Sequence, residues 1–513
     1  MLSFKQQQRQ LVLPAWLDFN QAAKIGELSL PRATPFNLIE REKVRFEKAV
    51  VEFKISPTLH IASDIFGFAL AVGREDIARD AAITLTTIGR LRPAAMAVVC
   101  KYLDQSTEVQ LWDWKRQIRV LRKLLNFNPR NPIAWVEQAR AYTVLGQVES
   151  AKRSLDIALG LAPTNRYVLR SVARFYIHIR QPETAWAIFS RAKIVDFDPW
   201  LKSCELNLAI MAEKSVKRIP KNDARGILKH EVFYYSELLE SLGMMHLING
   251  NDKNARKVFK VAWSAASHNV VTHGEWVARR HFPALEEGIR QRYNDSLEAL
   301  TFSRYFDGDM EGASKAAYEW KTQEPYSRRA VLMATYLATL LGDYVLAEKF
   351  AREGLETNPS DSVCRNNLVF VLLRNDRIAD AEKEQGSIPE SGVSDQICYI
   401  ATKGLLHFKQ GHTHIGRGFY AEAIEMAEKE GDKRLSNLAQ LNLAISELEL
   451  GGEGAVAMAE QILQQVNDDK NPDVKFVRGR VESVVRELNS EMSARHTCSD
   501  GSVETFTHVT TEI

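Results

Sequence analysis

The chain has 513 residues and a mass of 58.1 kDa; at roughly 100–200 residues per domain it should hold about three units or one repetitive array. Hydrophobic residues make up 45% and charged residues 26%, a globular balance that excludes wholesale disorder. Lys and Arg number 67 against 65 Asp and Glu, which argues against a polybasic nucleic-acid binder, and five scattered cysteines without a CxxC pair argue against a disulfide framework or a cysteine-rich zinc site.

The chain opens MLSFKQQQRQLVLPAWLDFN. Its apolar run is short and reaches Asp18 too early for a secretory leader. No stretch attains the roughly 18 uninterrupted apolar residues of a membrane span, so the expected home is the cytoplasm. Residues 1–37, with Pro14, Trp16, Pro31 and Pro35, read as an extended lead segment packing along the first helices. From Asn37 to Val51 charged and apolar residues alternate at helical spacing, and Pro57, Pro93 and the basic stretch Trp112–Asn126 mark irregular helix pairs.

From Pro132 the sequence becomes periodic. Counting Pro132 as position 1, Trp135, Tyr142, Ala151, Leu155, Ala158 and Pro163 occupy positions 4, 11, 20, 24, 27 and 32. One period of 34 residues later stand Leu169, Ala173, Tyr176, Ala185, Phe189 and Ala192. Leu242, Gly243, Ala255, Phe259 and Ala262 keep the same spacing from Ser236. A further block is locked in phase by Ala313, Ala347 and Ala381 and by Pro325 and Pro359. Large residues at positions 4, 7 and 11 make one apolar stripe on a first helix. Small residues at 8, 20 and 27 let a second helix approach closely, and the proline ends the unit. A single helix pair cannot bury its own apolar faces, so neighbours must stack.

This pattern resembles the tetratricopeptide repeat family, clearly over 132–199 and 294–390 and less fully over 236–269. LGQVESA (145–151), INGNDKNA (248–255) and LGDYVLA (341–347) are similar to that family's turn between paired helices. The resemblance implies an all-α, right-handed α-solenoid of stacked antiparallel helix pairs. A register change near His281–Pro283 divides it into two arrays, 38–280 and 281–492, followed by a Ser- and Thr-rich tail, 493–513, that lacks helical period. The tail ends Thr511-Glu512-Ile513, a chance-prone likeness to a PDZ-domain ligand. The polar stretch 213–230 reads as a loop.

The resemblance implies that positions 2, 5, 9, 12 and 13 of each first helix line a concave groove. In the unit from Arg166 these include Tyr167, Arg170, Arg174 and His178, with Arg140 one repeat before Arg174. Guanidiniums so arranged suit a carboxylate or phosphate, an acidic partner, unless they pair with acidic residues of neighbouring helices. The second block offers Tyr336, Asn366, Phe370 and Arg374, a more apolar groove. The carboxylate clamp of chaperone-tail adaptors is missing: Leu332, Tyr336, Cys398 and Thr402 stand where its Lys, Asn and Arg would be, and only Asn367 fits.

Signatures of catalysis are absent: no GxxxxGK[ST], GxSxG or HExxH occurs, and Gly416-Arg417-Gly418 has no preceding strand. His407, His412 and His414 are the best metal candidates but have no nearby carboxylate or thiol; His268, His273 and His281 form a looser group. The sequence therefore reads as a non-enzymatic scaffold or adaptor, without cofactor, binding a protein partner through its grooves. The competing readings are a regulatory or sensor subunit of an NTPase or protease, and a nucleic-acid-binding helical repeat using Arg116, Arg119, Arg122 and Lys123. The near-neutral total charge disfavours the last. Charge is nonetheless polarised: 20 basic and 13 acidic residues lie in 1–130, against 16 and 25 in 361–513. That polarity favours solvated helix faces, an oppositely charged partner at each end, or a head-to-tail homo-oligomer.

Overall fold

Asn131, Asn165, Asp198, Asp361 and Asp395 each start a helix, accepting backbone N–H groups two or three residues on. Those are donors that the first helical turn leaves orphaned. The computed structural model describes residues 11–25, 37–72, 74–88, 99, 102–103, 114–214, 232–388, 395–451, 454–466 and 469–497. The polar stretch from 215 to 230 and the tail from 498, with its Thr511-Glu512-Ile513 end, lie outside them. Every regular element among the described residues is helical, and none is long and apolar enough to cross a membrane.

The chain forms two compact units, Trp16–Leu238 and Met1–Ala15 with Leu239–Ile513. In the first, the lead segment, read from the sequence as extended, carries a short helix α1 (Phe19–Lys24) started by the Asp18 cap. Then come α2 (Asn37–Ile55), α3 (Leu59–Val72), α4 (Glu75–Ile88) and α5 (Trp114–Phe127). Ala62, Ala69, Ala78, Ala81 and Ala82 bring α3 and α4 together around Ile65 and Leu85. The regular pairs are α6 (Pro132–Val144) with α7 (Val148–Leu161), and α8 (Arg166–His178) with α9 (Pro182–Phe189). They are followed by α10 (Pro199–Met211) and by α11 (Val232–Ile248), a helix that spans the division.

The second unit continues with α12 (Asp252–Ser264) and α13 (His268–His281). Short helical turns between Pro283 and Asp295 follow, where the sequence changes register. Its pairs are α14 (Leu297–Asp307) with α15 (Met310–Gln323), α16 (Arg328–Leu340) with α17 (Tyr344–Thr357), and α18 (Ser362–Arg374) with α19 (Ile378–Gly386). Then come α20 (Gln396–Lys409) with α21 (Thr413–Lys429) and α22 (Lys433–Leu450) with α23 (Ala455–Gln465), closed by the long α24 (Pro472–Thr497). α24 includes the first residues of the stretch that reads as a tail.

The spaced alanines explain the pairing. Ala151, Ala185, Ala255, Ala313, Ala347 and Ala381 are all fully buried, where a larger side chain would push two backbones apart. Between paired helices the chain reverses through a left-handed residue: Gly146 (φ 65°), Gly308 (φ 84°) and Gly342 (φ 80°). The same turn one period on uses Arg180 (φ 59°) after Gly146 and Asp376 (φ 54°) after Gly342, residues that pay a steric penalty glycine escapes.

Candidate functional site

From Trp16 onward the lead segment lies on the first helices of consecutive pairs in the first unit. Residues 16–18 run without helix and Asp18 then caps α1, accepting from the Asn20 and Gln21 N–H groups, each at 3.0 Å. Trp16 and Leu17 are 1% exposed. The Trp16 ring meets Phe175 of α8 edge-on at 6.4 Å and the Phe19 ring meets Tyr167 edge-on at 5.4 Å. Glu137 of α6 anchors the backbone: its Oε1 accepts the Phe19 N–H at 2.8 Å and lies 2.7 Å from the Tyr167 hydroxyl. That hydroxyl also stands 3.1 Å from the Leu17 carbonyl oxygen. Burial, with Glu137 beside it, pushes the Tyr167 phenol far above its usual pKa, so it stays a hydrogen-bond donor. Arg140, over the Trp114 ring, has Asp18 at 3.9 Å and Glu137 at 3.8 Å.

Of the groove residues read from the sequence, Arg140 and Tyr167 thus touch polypeptide of the chain itself. Arg170, 1% exposed, is held by Glu237 of α11 through two bonds of 2.6 and 3.2 Å and stacks on Trp200 at 4.9 Å. This is the pairing with an acidic residue of a neighbouring helix that the sequence leaves open. Arg174 and His178 are half-buried on the same stripe. Burial, with Arg174 beside it, lowers the His178 pKa to about 4, so the ring is neutral at pH 7 and adds no charge to the stripe.

In the second unit, α24 returns to the helix that carries Tyr336. Asp473 at its start is fully buried and bonds the Tyr336 hydroxyl; Arg434 of α22 reaches the same carboxylate through Nε at 2.9 Å and Nη2 at 2.5 Å. Further along, the Arg480 guanidinium donates to the Leu340 carbonyl at the end of α16 at 2.9 Å. Burial pushes the Asp473 carboxyl upward, but Arg434 and the tyrosine hydroxyls outweigh it and hold the pKa below the ordinary value of 3.8. Asn366 and Phe370 are buried on α18. Arg374 pairs with Glu449 at 2.7 Å and lies over Tyr344.

Two arrangements escape the periodic reading. The first joins successive repeats: Arg166, first residue of α8, bonds Asp198 Oδ2 at 2.6 Å, while Asp198 Oδ1 caps α10. Arg328, first residue of α16, meets Asp361, the cap of α18, in the same way. The signal for it is an arginine opening one first helix and an Asp cap on the next. The second is a close helix crossing. A Cβ on Gly416 would lie 2.9 Å from the Gly404 carbonyl oxygen and 2.5 Å from the Phe408 ring. Gly416 sits inside α21, so the GRG stretch serves helix packing.

The histidines are dispersed in role. His407 stacks on Phe419 at 5.3 Å, with the His412 ring 5.9 Å away. His273 bonds the buried Glu240 at 2.7 Å, and Glu240 also accepts from Trp263 Nε1 at 2.9 Å. Among the described residues no three His, Cys, Asp or Glu converge as metal ligands. On the basic helix α5, Arg122 donates to the Tyr142 hydroxyl at 2.7 Å.

Within each unit the helix pairs, their small-residue crossings and their left-handed turns make an all-α, tetratricopeptide-like repeat array. Two solved structures overlap much of the chain at low similarity. The crystal structure of the APC/C hetero-tetramer Cut9-Hcn1 is 14% identical over 86% of this chain and 94% of that one, with a TM-score of 0.33. The crystal structure of yeast Tom70 is 12% identical over 86% and 99%, with a TM-score of 0.29. No family model and no curated protein matches the sequence.

Proposed function

We propose that the chain is a non-enzymatic scaffold that holds a protein partner along the exposed parts of its first-helix faces. One observation supports this above the others: the face formed by α6 and α8 holds an extended polypeptide by its backbone as well as its side chains, through Glu137 and Tyr167. Fixing both main chain and aromatic side chains is how a surface recognises peptide.

Crosslinking mass spectrometry on the native chain, followed by titration of each captured partner, tests the reading. Arg174→Ala, on the half-buried stripe of α8, should weaken a genuine partner by about tenfold. Lys152→Ala, on the exposed face of the second helix α7, should leave affinity unchanged. Equal effects, or a purified chain that binds no protein and turns over a substrate, would refute it.

A further inference from the structure

In the first unit the lead segment makes the contacts a bound peptide would make. Its Trp16-Leu17-Asp18-Phe19 core places two rings edge-on against α8, an acid toward Arg140, and an N–H on Glu137. The receiving groups come from two different repeats, α6 and α8, and are buried: Glu137 is 4% exposed, Tyr167 2% and Arg140 5%. A segment serving only as hydrophobic cover would have no need of a carboxylate and a guanidinium beneath it, since buried charges cost free energy unless they are used. After the core the chain adds a short helix, Phe19–Lys24, with Ala22 buried.

We propose that this face is a peptide-binding groove occupied in cis by residues 16–22, and that its partner in trans presents an extended segment with an aromatic, an acid and a second aromatic in the spacing of Trp16, Asp18 and Phe19. The lead segment is then a built-in competitor. Tethered close to its site, it acts at an effective concentration of the order of millimolar. A free peptide of about 10 μM intrinsic affinity would therefore bind the intact chain about a hundredfold more weakly. A partner gains access by carrying a better version of the motif or by a second contact elsewhere. The inference deepens the scaffold reading by naming the ligand of one groove; a partner held on another face would leave that reading standing while this one fell.

The test uses the full chain with a protease-recognition sequence placed between Gly26 and Asn37. After cleavage the severed segment is dialysed away, and binding of a labelled peptide of residues 11–24 is followed by fluorescence anisotropy. The expected result is saturable binding to the cut chain and binding about a hundredfold weaker to the uncut chain. Phe19→Ala in the peptide, or Tyr167→Phe in the chain, should weaken it by about tenfold. A second peptide retaining Trp16, Asp18 and Phe19 but alanine elsewhere should bind within about tenfold of the natural one. Failure of the peptide to bind the cut chain, equal binding to cut and uncut chain, or binding only by the complete natural sequence would overturn the proposal. So would loss of helical circular dichroism on removing the segment, since the segment would then be part of the core.

Discussion

Replacing Arg180 by glycine should stabilise the first unit. Arg180 reverses the chain between α8 and α9 at φ 59°, the position that Gly146 fills one repeat earlier at φ 65°. A side chain in this conformation costs roughly 1–2 kcal/mol through the clash of Cβ with the backbone. Glycine removes the clash but gives the unfolded chain more freedom, an opposing cost of about 0.5–1 kcal/mol. The Arg180 side chain is exposed, so little packing is lost. The net gain should be about 0.5–1 kcal/mol, which for a unit of this size raises Tm by about 1–4 °C. Gly146→Ala provides the mirror experiment and should cost at least about 1 kcal/mol. Scanning calorimetry of the full chain, read at the transition assigned to the first unit by urea titration with Trp fluorescence, measures both. A Tm for Arg180→Gly equal to or below that of the parent, with Gly146→Ala destabilising, would refute the reasoning, because the two positions would then not share one backbone strain.

Three further outcomes follow from the described contacts. Arg170→Met alone should cost about 3–5 kcal/mol by taking the guanidinium away from the buried Glu237 carboxylate, whereas Arg170→Met with Glu237→Leu should recover most of that loss in a denaturant melt; equal losses would contradict a buried ion pair. Gly416→Ala should destabilise the α20–α21 pair by about 1–3 kcal/mol, since the added methyl meets a backbone oxygen that cannot rotate away; hydrogen exchange localised to these helices reads it. Asp473 has a folded pKa below its unfolded one, so its contribution is complete above the unfolded value near 3.8 and disappears as pH falls through the lower, folded one. Proteolytic release of α24 should accordingly rise on acidification below about pH 4, and Asp473→Asn should release it at neutral pH and flatten the acid dependence. Acid-independent release in the parent would contradict the assignment.

The helix pairs were legible because their determinants are local. A stripe of large residues and an alanine at the crossings recur every 34 residues through the regular pairs, with Pro325 and Pro359 one period apart, and each acts on neighbours in sequence. The groove positions were legible only as positions. What covers them depends on partners far away along the chain: Tyr336 meets Asp473, 137 residues on, and Tyr167 meets Leu17, 150 residues back. Such pairs leave no periodic trace. Arg170 illustrates the ambiguity: its place on a first-helix stripe is the same whether it faces a ligand or Glu237, and only the packing of α11 decides between them.

The anchoring of α24 also bears on how the second unit is made. Each helix pair finds its neighbours within a few dozen residues of sequence, so the array has low contact order and can assemble progressively as synthesis proceeds. The bonds from Asp473 to Tyr336 and from Arg480 to Leu340 are different, spanning 137 and 140 residues. They can form only after α24 itself has left the ribosome. A nascent chain, or one truncated before α24, would hold its helices in order yet lack this closure, leaving the α16 surface that α24 covers open to chaperones until α24 arrives.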